Sequence, residues 1–562
     1  MSNFIPTTRK EAKQRNIPEF DVILVTADAY IDHPAFGAAI IGRYLESLNL
    51  RVGIIPQPDW KNTEDFTVLG RPGLFFGVTG GNLDSMVALY TAQRKIRSDD
   101  AYSEGGIPGR RPEMPTVIYT QRIKQAFKGV PVVIGGIEAS LRRIAHYDFY
   151  REVVKPSILL DAKADMLVYG NGEAPLRDLV KRLQSGAEFQ DIRDIRGTAV
   201  PVKGRDKSLH TDAINLPSLE AVRTDKSAFA DMTLAILDNL NPYAARPLLQ
   251  ETGTRAVRIN PPAIPLTTEE LDAVYALPFL RKAHPRYRDE IPALRTVRHS
   301  IISHRGCYGG CRFCALTFHQ GKIIQSRSRE SILSEVEQIT SQRKKPVIIT
   351  DIGGPTANMY MTGCRDQGEK NCTRGSCLYP NICPRLETDS TAYETVLNDV
   401  LSHPGVRGVF INSGVRYDLA LKNKSFIREL VRKHTGGHVS VAPEHCSSSV
   451  LHLMGKPDIN TYMKFRNIFQ EIAGQEEAKD IFLMPYLIIG FPGASPETEK
   501  ELEEFVHRNR IKMEQIQEFT PTPMTPATAM YYTETDIFTH TPIHVEKKSS
   551  VKKKWKQRII GT

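Results

Sequence analysis

The stretch HSIISHRGCYGGCRFC (299–314) passes from a short apolar strand pattern directly into a glycine-rich loop that carries three cysteines. Cys307, Cys311 and Cys314 stand at C-x3-C-x2-C spacing. Gly306, Gly309 and Gly310 let this loop take positive φ and wrap closely around a bulky group. A 4Fe–4S cube needs four ligands, normally thiolates, so three cysteines on one loop leave one iron open to an exogenous group. Zinc is the rival. A structural zinc site takes four N or S donors, commonly brought in as C-x2-C pairs, and the three-residue gap fits that poorly. His304 or His319 would complete a zinc tetrahedron, so the alternative stays open.

Outward from the loop, apolar strand patterns recur at 299–304, 346–351, 406–412, 438–444, 481–489 and 515–520, with helical patterns between them at 329–343, 425–430 and 496–508. Six βα repeats are too few for a closed eight-stranded barrel and suit a partial one, whose sites form at the C-terminal strand ends. The first ~240 residues form a separate α/β series. Its strands are expected at 20–26, 51–56, 74–79, 130–136 and 164–170, and its helices include 36–48 and 82–96. Near-continuous apolar runs are the mark of parallel strands covered on both faces, so this domain (1–240) is expected to be Rossmann-like. A Pro-rich connector is expected over 241–292, the partial barrel over 293–535 and a basic tail over 536–562. In that first domain Gly135, Gly136, Gly170, Gly172 and Glu173 end strands and could admit a phosphate-bearing ligand, but no G-x-G-x-x-G follows a strand, which disfavours NAD.

At 562 residues the chain is too long for one core. No apolar run approaches the ~18 residues needed to cross a bilayer, and no secretory signal opens the chain, so a cytoplasmic protein without membrane contact is expected. The formal net charge is +10, but seven basic residues against one acidic residue fall between Glu546 and Arg558. That tail could meet nucleic-acid phosphates, and a solvated, frayed end is the plainer reading. None of the eight cysteines precedes Cys307, and seven lie between Cys307 and Cys383, a distribution that suits metal rather than a disulfide framework. Cys364, Cys372, Cys377 and Cys383 form a second group in a four-cysteine insertion (364–383), with no apolar core of their own in view. A second iron–sulfur cluster and a four-thiolate zinc site both fit them. Cys446 reads as a buried small residue.

The C-x3-C-x-aromatic-C loop, with Phe313 before its last cysteine, resembles the signature of the radical S-adenosylmethionine (SAM) superfamily. That resemblance implies a 4Fe–4S cluster on Cys307, Cys311 and Cys314, with SAM at the open iron, cleaved reductively to a 5′-deoxyadenosyl radical. It also implies SAM contacts at successive strand ends. These are the backbone of Gly353, Gly354 and Pro355 for the amino group, Arg416 for the carboxylate, Glu444 for the ribose, and Ile488 and Gly490 for the adenine. The first domain resembles the cobalamin-binding domain that precedes many such barrels. The usual cobalt-ligating pattern is D-x-H-x-x-G, however, and in Asp32-His33-Pro34-Ala35-Phe36-Gly37 the histidine directly follows the aspartate. Over nearly its whole length the chain resembles the YgiQ family of radical SAM proteins, through segments such as VIGGIEASLRRIAHYDF (133–149), DIGGPTANMY (351–360) and APEHCSSSVLHLMGKP (442–457). The implied protein is an enzyme reduced by a flavodoxin- or ferredoxin-type donor and acting on an unknown substrate. Its rivals are a cobalamin-dependent methyltransferase, a methylthiotransferase, and a zinc-stabilised RNA-binding protein using the tail.

Overall fold

The computed structural model describes residues 3–203, 212–341, 343–476, 480–511 and 516–561. The chain divides into two compact units, Met1–Pro265 with Ala273–Arg298, and Leu266–Asp272 with His299–Thr562.

Five parallel strands organise the first unit: β1 (Val22–Thr26), β2 (Val52–Pro56), β3 (Phe75–Thr79), β4 (Val132–Gly135) and β5 (Met166–Val168). They are the five apolar runs read from the sequence. They adjoin in the order β2-β1-β3-β4-β5, all parallel, with Leu24 opposite both Ile54 and Gly77. The sheet does not stop there. β6 (Thr198–Lys203), β7 (Ile214–Asn215), β8 (Leu248–Thr252) and β9 (Arg255–Ile259) extend it to nine strands, in the order β7-β8-β9-β6-β5 at that end. β6 joins β5 antiparallel, and β8 and β9 form an antiparallel hairpin turning at Gly253, whose φ of +56° favours glycine. The 241–292 stretch expected as a connector therefore supplies two sheet strands. Its prolines flank the hairpin, with Pro247 before it and Pro261 after it. The helix expected over 82–96 is also shorter, spanning only Ser85–Leu89. Tyr90 turns extended and Arg94 takes a positive φ, so the chain loops back to bridge Tyr90 with Ile96.

The second unit contains the expected parallel strands in chain order: β10 (Ser300–Ile302), β11 (Val347–Ile349) continuing as β12 (Asp351–Gly353), β13 (Val406–Val409), β14 (His438–Glu444), β15 (Phe482–Ile489) and β16 (Ile516–Glu518). β10 pairs with β12, β11 with β13, and β14 with β15 and β15 with β16, all parallel; a parallel bridge from Val415 to Val441 links the run after β13 to β14. A core of buried aliphatic and aromatic residues, including Ile301, Ile349, Val409 and Phe465, fills the space between these strands and their helices. The tail is not frayed. Ser549–Ile560 is a helix that buries Trp555 and Ile559 with Leu487, Ile489 and Ile516. Val551, Trp555 and Ile559 are four residues apart, which places them on one helical face. Among the described residues no helix is long and apolar enough to cross a membrane.

Candidate metal centre

The cysteine loop leaves β10 through a short antiparallel arm in which His304–Arg305 pairs with Gln325–Ser326. Gly306 follows at φ +88°, where a Cβ would fall 2.2 Å from the Ile323 carbonyl oxygen, so only glycine fits the turn. The Cys307 N–H donates to the Gly321 carbonyl (3.1 Å), and Cys314 N–H to that of Cys311 (3.1 Å). Neighbouring segments hold the loop's middle, because the Arg312 N–H donates to the Met454 carbonyl (3.0 Å) and the Arg312 carbonyl accepts from Ala527 N–H (2.9 Å).

These constraints bring two of the sulfurs and an arginine to one place. The position of a Cβ on Gly309 lies 3.3 Å from Cys307 Sγ, 3.9 Å from Cys311 Sγ and 3.4 Å from an Arg416 guanidinium nitrogen. Burial, and then the neighbouring Cys311, push the Cys307 thiol's pKa up. Burial together with Cys311 and Cys307 pushes the Cys314 thiol up to about 12. Thiols whose pKa is raised in this way, as at Cys307 and Cys314, need a cationic centre to become thiolates. Among the described residues no three His, Cys, Asp or Glu side chains are gathered for a metal ion. Cys446 is not the fourth thiol, since it is buried against Leu487 and Trp555.

Arg416 reaches the loop from beyond β13. Its nitrogens fork onto the Asp418 carboxylate (2.9 and 2.6 Å), and the remaining one lies 3.5 Å from Cys311 Sγ. Burial disfavours its charge, and the Asp418 carboxylate more than offsets that, so the guanidinium stays cationic. The fork expected for the SAM carboxylate is thus taken by the chain's own aspartate, and Arg416 stands as a sulfur neighbour. Asn358 fixes it at both ends of its peptide, accepting from Arg416 N–H (2.9 Å) and donating to its carbonyl (3.0 Å).

After β12 the GGPT segment (353–356) brings the Thr356 hydroxyl to 4.0 Å from Cys307 Sγ. The Gly353 carbonyl accepts from both the N–H (2.8 Å) and the hydroxyl (3.2 Å) of Ser303. A Cβ on Gly354 would fall 2.6 Å from the His304 carbonyl oxygen, so this crossing requires glycine. Pro355 follows and, having no N–H, offers only its carbonyl. At the bulged end of β14, Glu444 is buried at φ +71°, a strained conformation for a non-glycine residue. Lys456 Nζ lies 3.4 Å from its carboxylate, while burial raises the carboxyl pKa. Next to it, burial lowers the His445 imidazole to about 3, and its Nδ1 accepts from Ser447 N–H (3.0 Å). Phe313 meets Phe491 edge-on at 6.2 Å between ring centroids.

Ile488 lies on β15, and Gly490 just past it is covered from the other side. Gly490 N–H donates to Glu499 (2.7 Å), and a Cβ there would strike the Lys552 stem at 2.6 Å. Lys552 is buried and ion-paired with Glu518 at 2.9 Å. Of the groups expected around SAM, Arg416 and the 353–356 backbone converge on the cysteine loop, whereas Gly490 packs against the terminal helix. Thr356, Asn358, Asp418 and Phe491 were not singled out in the sequence. Their roles depend on how the chain folds around the loop.

In the first unit the strand ends of β1, β3 and β4 are filled. Arg111 pairs with Asp28 (3.1 Å) and Asp100 (2.8 Å), Arg142 pairs with Asp84, and Glu138 accepts from the Ser85 hydroxyl and from Thr116 N–H (3.0 Å). A Cβ on Gly81 would fall 2.2 Å from the Asp28 carboxylate. His33 is buried, with Nδ1 accepting from Ala35 N–H at 3.0 Å. Gly136, at φ +83°, is closed in by the Thr79 hydroxyl, 2.4 Å from where a Cβ would stand, and Glu173 is buried.

A protein-family model described as Radical SAM N-terminal matches residues 4–300. The UPF0313 protein GSU2873 of Geobacter sulfurreducens is 47% identical over 559 residues, covering 99% of this chain and 92% of the relative. The UPF0313 protein YgiQ of Salmonella typhimurium is 43% identical, covering 94% of this chain and 81% of the relative. Among solved structures, the radical S-adenosylmethionine methyltransferase TsrM of Kitasatospora setae, with tryptophan substrate and a SAM analogue bound, shares the fold at a TM-score of 0.52. It is 15% identical and covers 90% of this chain and 75% of its own. The same enzyme with cobalamin and a [4Fe-4S] cluster bound gives the same TM-score. With relatives this similar along nearly its full length, the chain belongs to the UPF0313, or YgiQ, family of radical SAM proteins.

Proposed function

We propose that the chain is an enzyme whose Cys307, Cys311 and Cys314 hold a 4Fe–4S cluster, with SAM at the open iron. When bound and reduced, the cluster supplies one electron that splits the SAM sulfonium into methionine and a 5′-deoxyadenosyl radical. The observation that carries this reading is the convergence of Cys307 Sγ, Cys311 Sγ and the Arg416 guanidinium around Gly309. Arg416 donates toward Cys311 and spreads positive charge over the thiolates, and Asp418 and Asn358 hold it in place. Gly353, Gly354 and Pro355 present backbone to the SAM amino group, Glu444 accepts from the ribose, and Phe313 and Ile488 border the adenine. Gly490 serves that contact indirectly, by shaping the end of β15. The reductant is a flavodoxin- or ferredoxin-type protein, and the setting is cytoplasmic.

A cobalamin-dependent methyltransferase is the reading suggested by TsrM's bound groups, but this chain's residues do not fit cobalamin. His33 is buried with one ring nitrogen already engaged, and the strand ends that would face the corrin carry Asp28, Arg111, Asp84 and Arg142 in buried pairs. No step is assigned to cobalamin. RNA binding through the tail loses force for a like reason, since Lys552 and Trp555 of that segment are buried in the protein.

The test is SAM cleavage. Anaerobically reconstituted protein given dithionite should release 5′-deoxyadenosine from SAM, and replacing Cys307, Cys311 and Cys314 by Ala should abolish the product. A triple variant that cleaves SAM at the native rate refutes the assignment.

A further inference from the structure

The second cysteine group is folded against the back of the first. Cys377 N–H donates to the Tyr308 carbonyl (3.0 Å), and the Ser376 hydroxyl donates to the Gly309 carbonyl (2.7 Å). At Gly310 (φ +62°) a Cβ would fall 2.6 Å from the Gly375 carbonyl oxygen, so the two loops touch backbone to backbone. Cys364 and Cys372 cap the two ends of the 3-10 helix Arg365–Asn371, and main-chain contacts tie Cys364, Cys377 and Cys383 together. Cys364 bridges Leu386, Leu386 N–H donates to the Cys383 carbonyl (2.9 Å), and Cys383 N–H donates to the Cys377 carbonyl (2.8 Å). Cys377 and Cys383 pack on a small apolar cluster of Tyr308, Met359, Leu378, Leu386 and Leu419, which the sequence did not reveal. None of the four is in a disulfide.

Basic groups surround the set. Lys322 Nζ donates to the Arg374 carbonyl (2.8 Å), Arg374 clasps the carbonyls of Ser376 (3.1 Å) and Asn381 (2.9 Å), and an Arg385 nitrogen lies 3.3 Å from a Cβ position on Gly368, itself 3.0 Å from Cys364 Sγ.

We propose that Cys364, Cys372, Cys377 and Cys383 ligate a second 4Fe–4S cluster, fully coordinated by protein and seated directly behind the SAM-binding loop. Four thiolates on a 2+ cube leave a net charge of about −2, which Lys322, Arg374 and Arg385 are placed to balance. With no corner open, this cluster does not bind SAM. The spacing favours a cube over zinc, because C-x7-C-x4-C-x5-C lacks the C-x2-C pairs of structural zinc sites. The site stands whether or not the first loop performs SAM chemistry.

The experiment uses the full chain, purified and reconstituted without oxygen, with iron, sulfide and zinc measured per chain. Wild type should hold about eight irons and about eight sulfides, and Cys→Ala replacement of either cysteine group should leave about four of each. In the variant lacking Cys307, Cys311 and Cys314, the reduced cluster's EPR signal should be indifferent to SAM. In the variant lacking the second group, the remaining signal should respond to it. About four irons in wild type, zinc in place of the second set of irons, or iron wholly absent from a triplet variant with native circular dichroism would each overturn the proposal. If a variant does not fold, the wild-type metal count decides alone. Loss of SAM response with about eight irons retained would count against the proposed function and leave this second site standing.

Discussion

Arg416 illustrates what one residue's surroundings decide. Its identity and its place after β13 were legible in SGVRYDL, and so was the expectation of a planar fork at the site. Its partner was not, because the turn into Tyr417–Ala420 is what presents Asp418 back to it. Glu499 shows the same dependence. On its helix it reads as one of several surface acids, yet it is buried under the end of β15 with Gly490 N–H as its donor, and its pKa rises to about 7 from burial. A carboxyl whose folded pKa lies above its unfolded value binds more proton when folded, so stability must fall as pH rises from the ordinary glutamate range to about 7. The cost over that window is of order 3 kcal/mol. Glu499→Gln keeps the acceptor for Gly490 and removes the charge, so its stability should vary less between about pH 5 and about pH 8 than that of wild type, by up to about that amount. Urea unfolding at the two pH values checks this; equal pH dependence in both proteins would show that Glu499 ionises freely.

At the scale of elements, strands were the best-read feature. Runs such as VILVT and PVVIG are buried on both faces, and that continuous apolar signal survives without tertiary knowledge. Two elements misled for opposite reasons. The prolines of 241–292 suggested a connector, but they bracket a hairpin whose own residues, LLQETGTRAVRI (248–259), carry the alternation and the turn glycine. In the tail, charge hid a four-residue apolar spacing. Trp555 is 6% exposed within a cluster that braces β15 and β16, so Trp555→Ala should cost about 3–5 kcal/mol. The exposed neighbour Lys553→Ala should change stability by less than about 0.5 kcal/mol. Denaturant titration of the two variants distinguishes a packed helix from a solvated end, for which both changes would be small.

At the scale of the whole molecule, the two units differ in how they use their strand ends. The parallel strands of the first unit terminate in buried ion pairs of its own side chains, Asp28–Arg111 and Asp84–Arg142 among them. Those of the second unit terminate at a loop of three half-buried thiols, an arginine held at one sulfur and a strained glutamate. The order of the second series was legible because each motif follows its strand. The closure of the first was not, because Arg111 and Asp100 come from a loop with no pattern of its own. The proposed chemistry is therefore assigned to the second unit, and its central requirement is a cluster on Cys307, Cys311 and Cys314 with one iron that no protein group occupies. EPR of the dithionite-reduced, reconstituted full chain with and without SAM tests this most directly. The account predicts that SAM alters the signal of that cluster, and that the alteration disappears when the three cysteines are replaced by Ala. A reduced-cluster spectrum identical in the presence and absence of saturating SAM would contradict it.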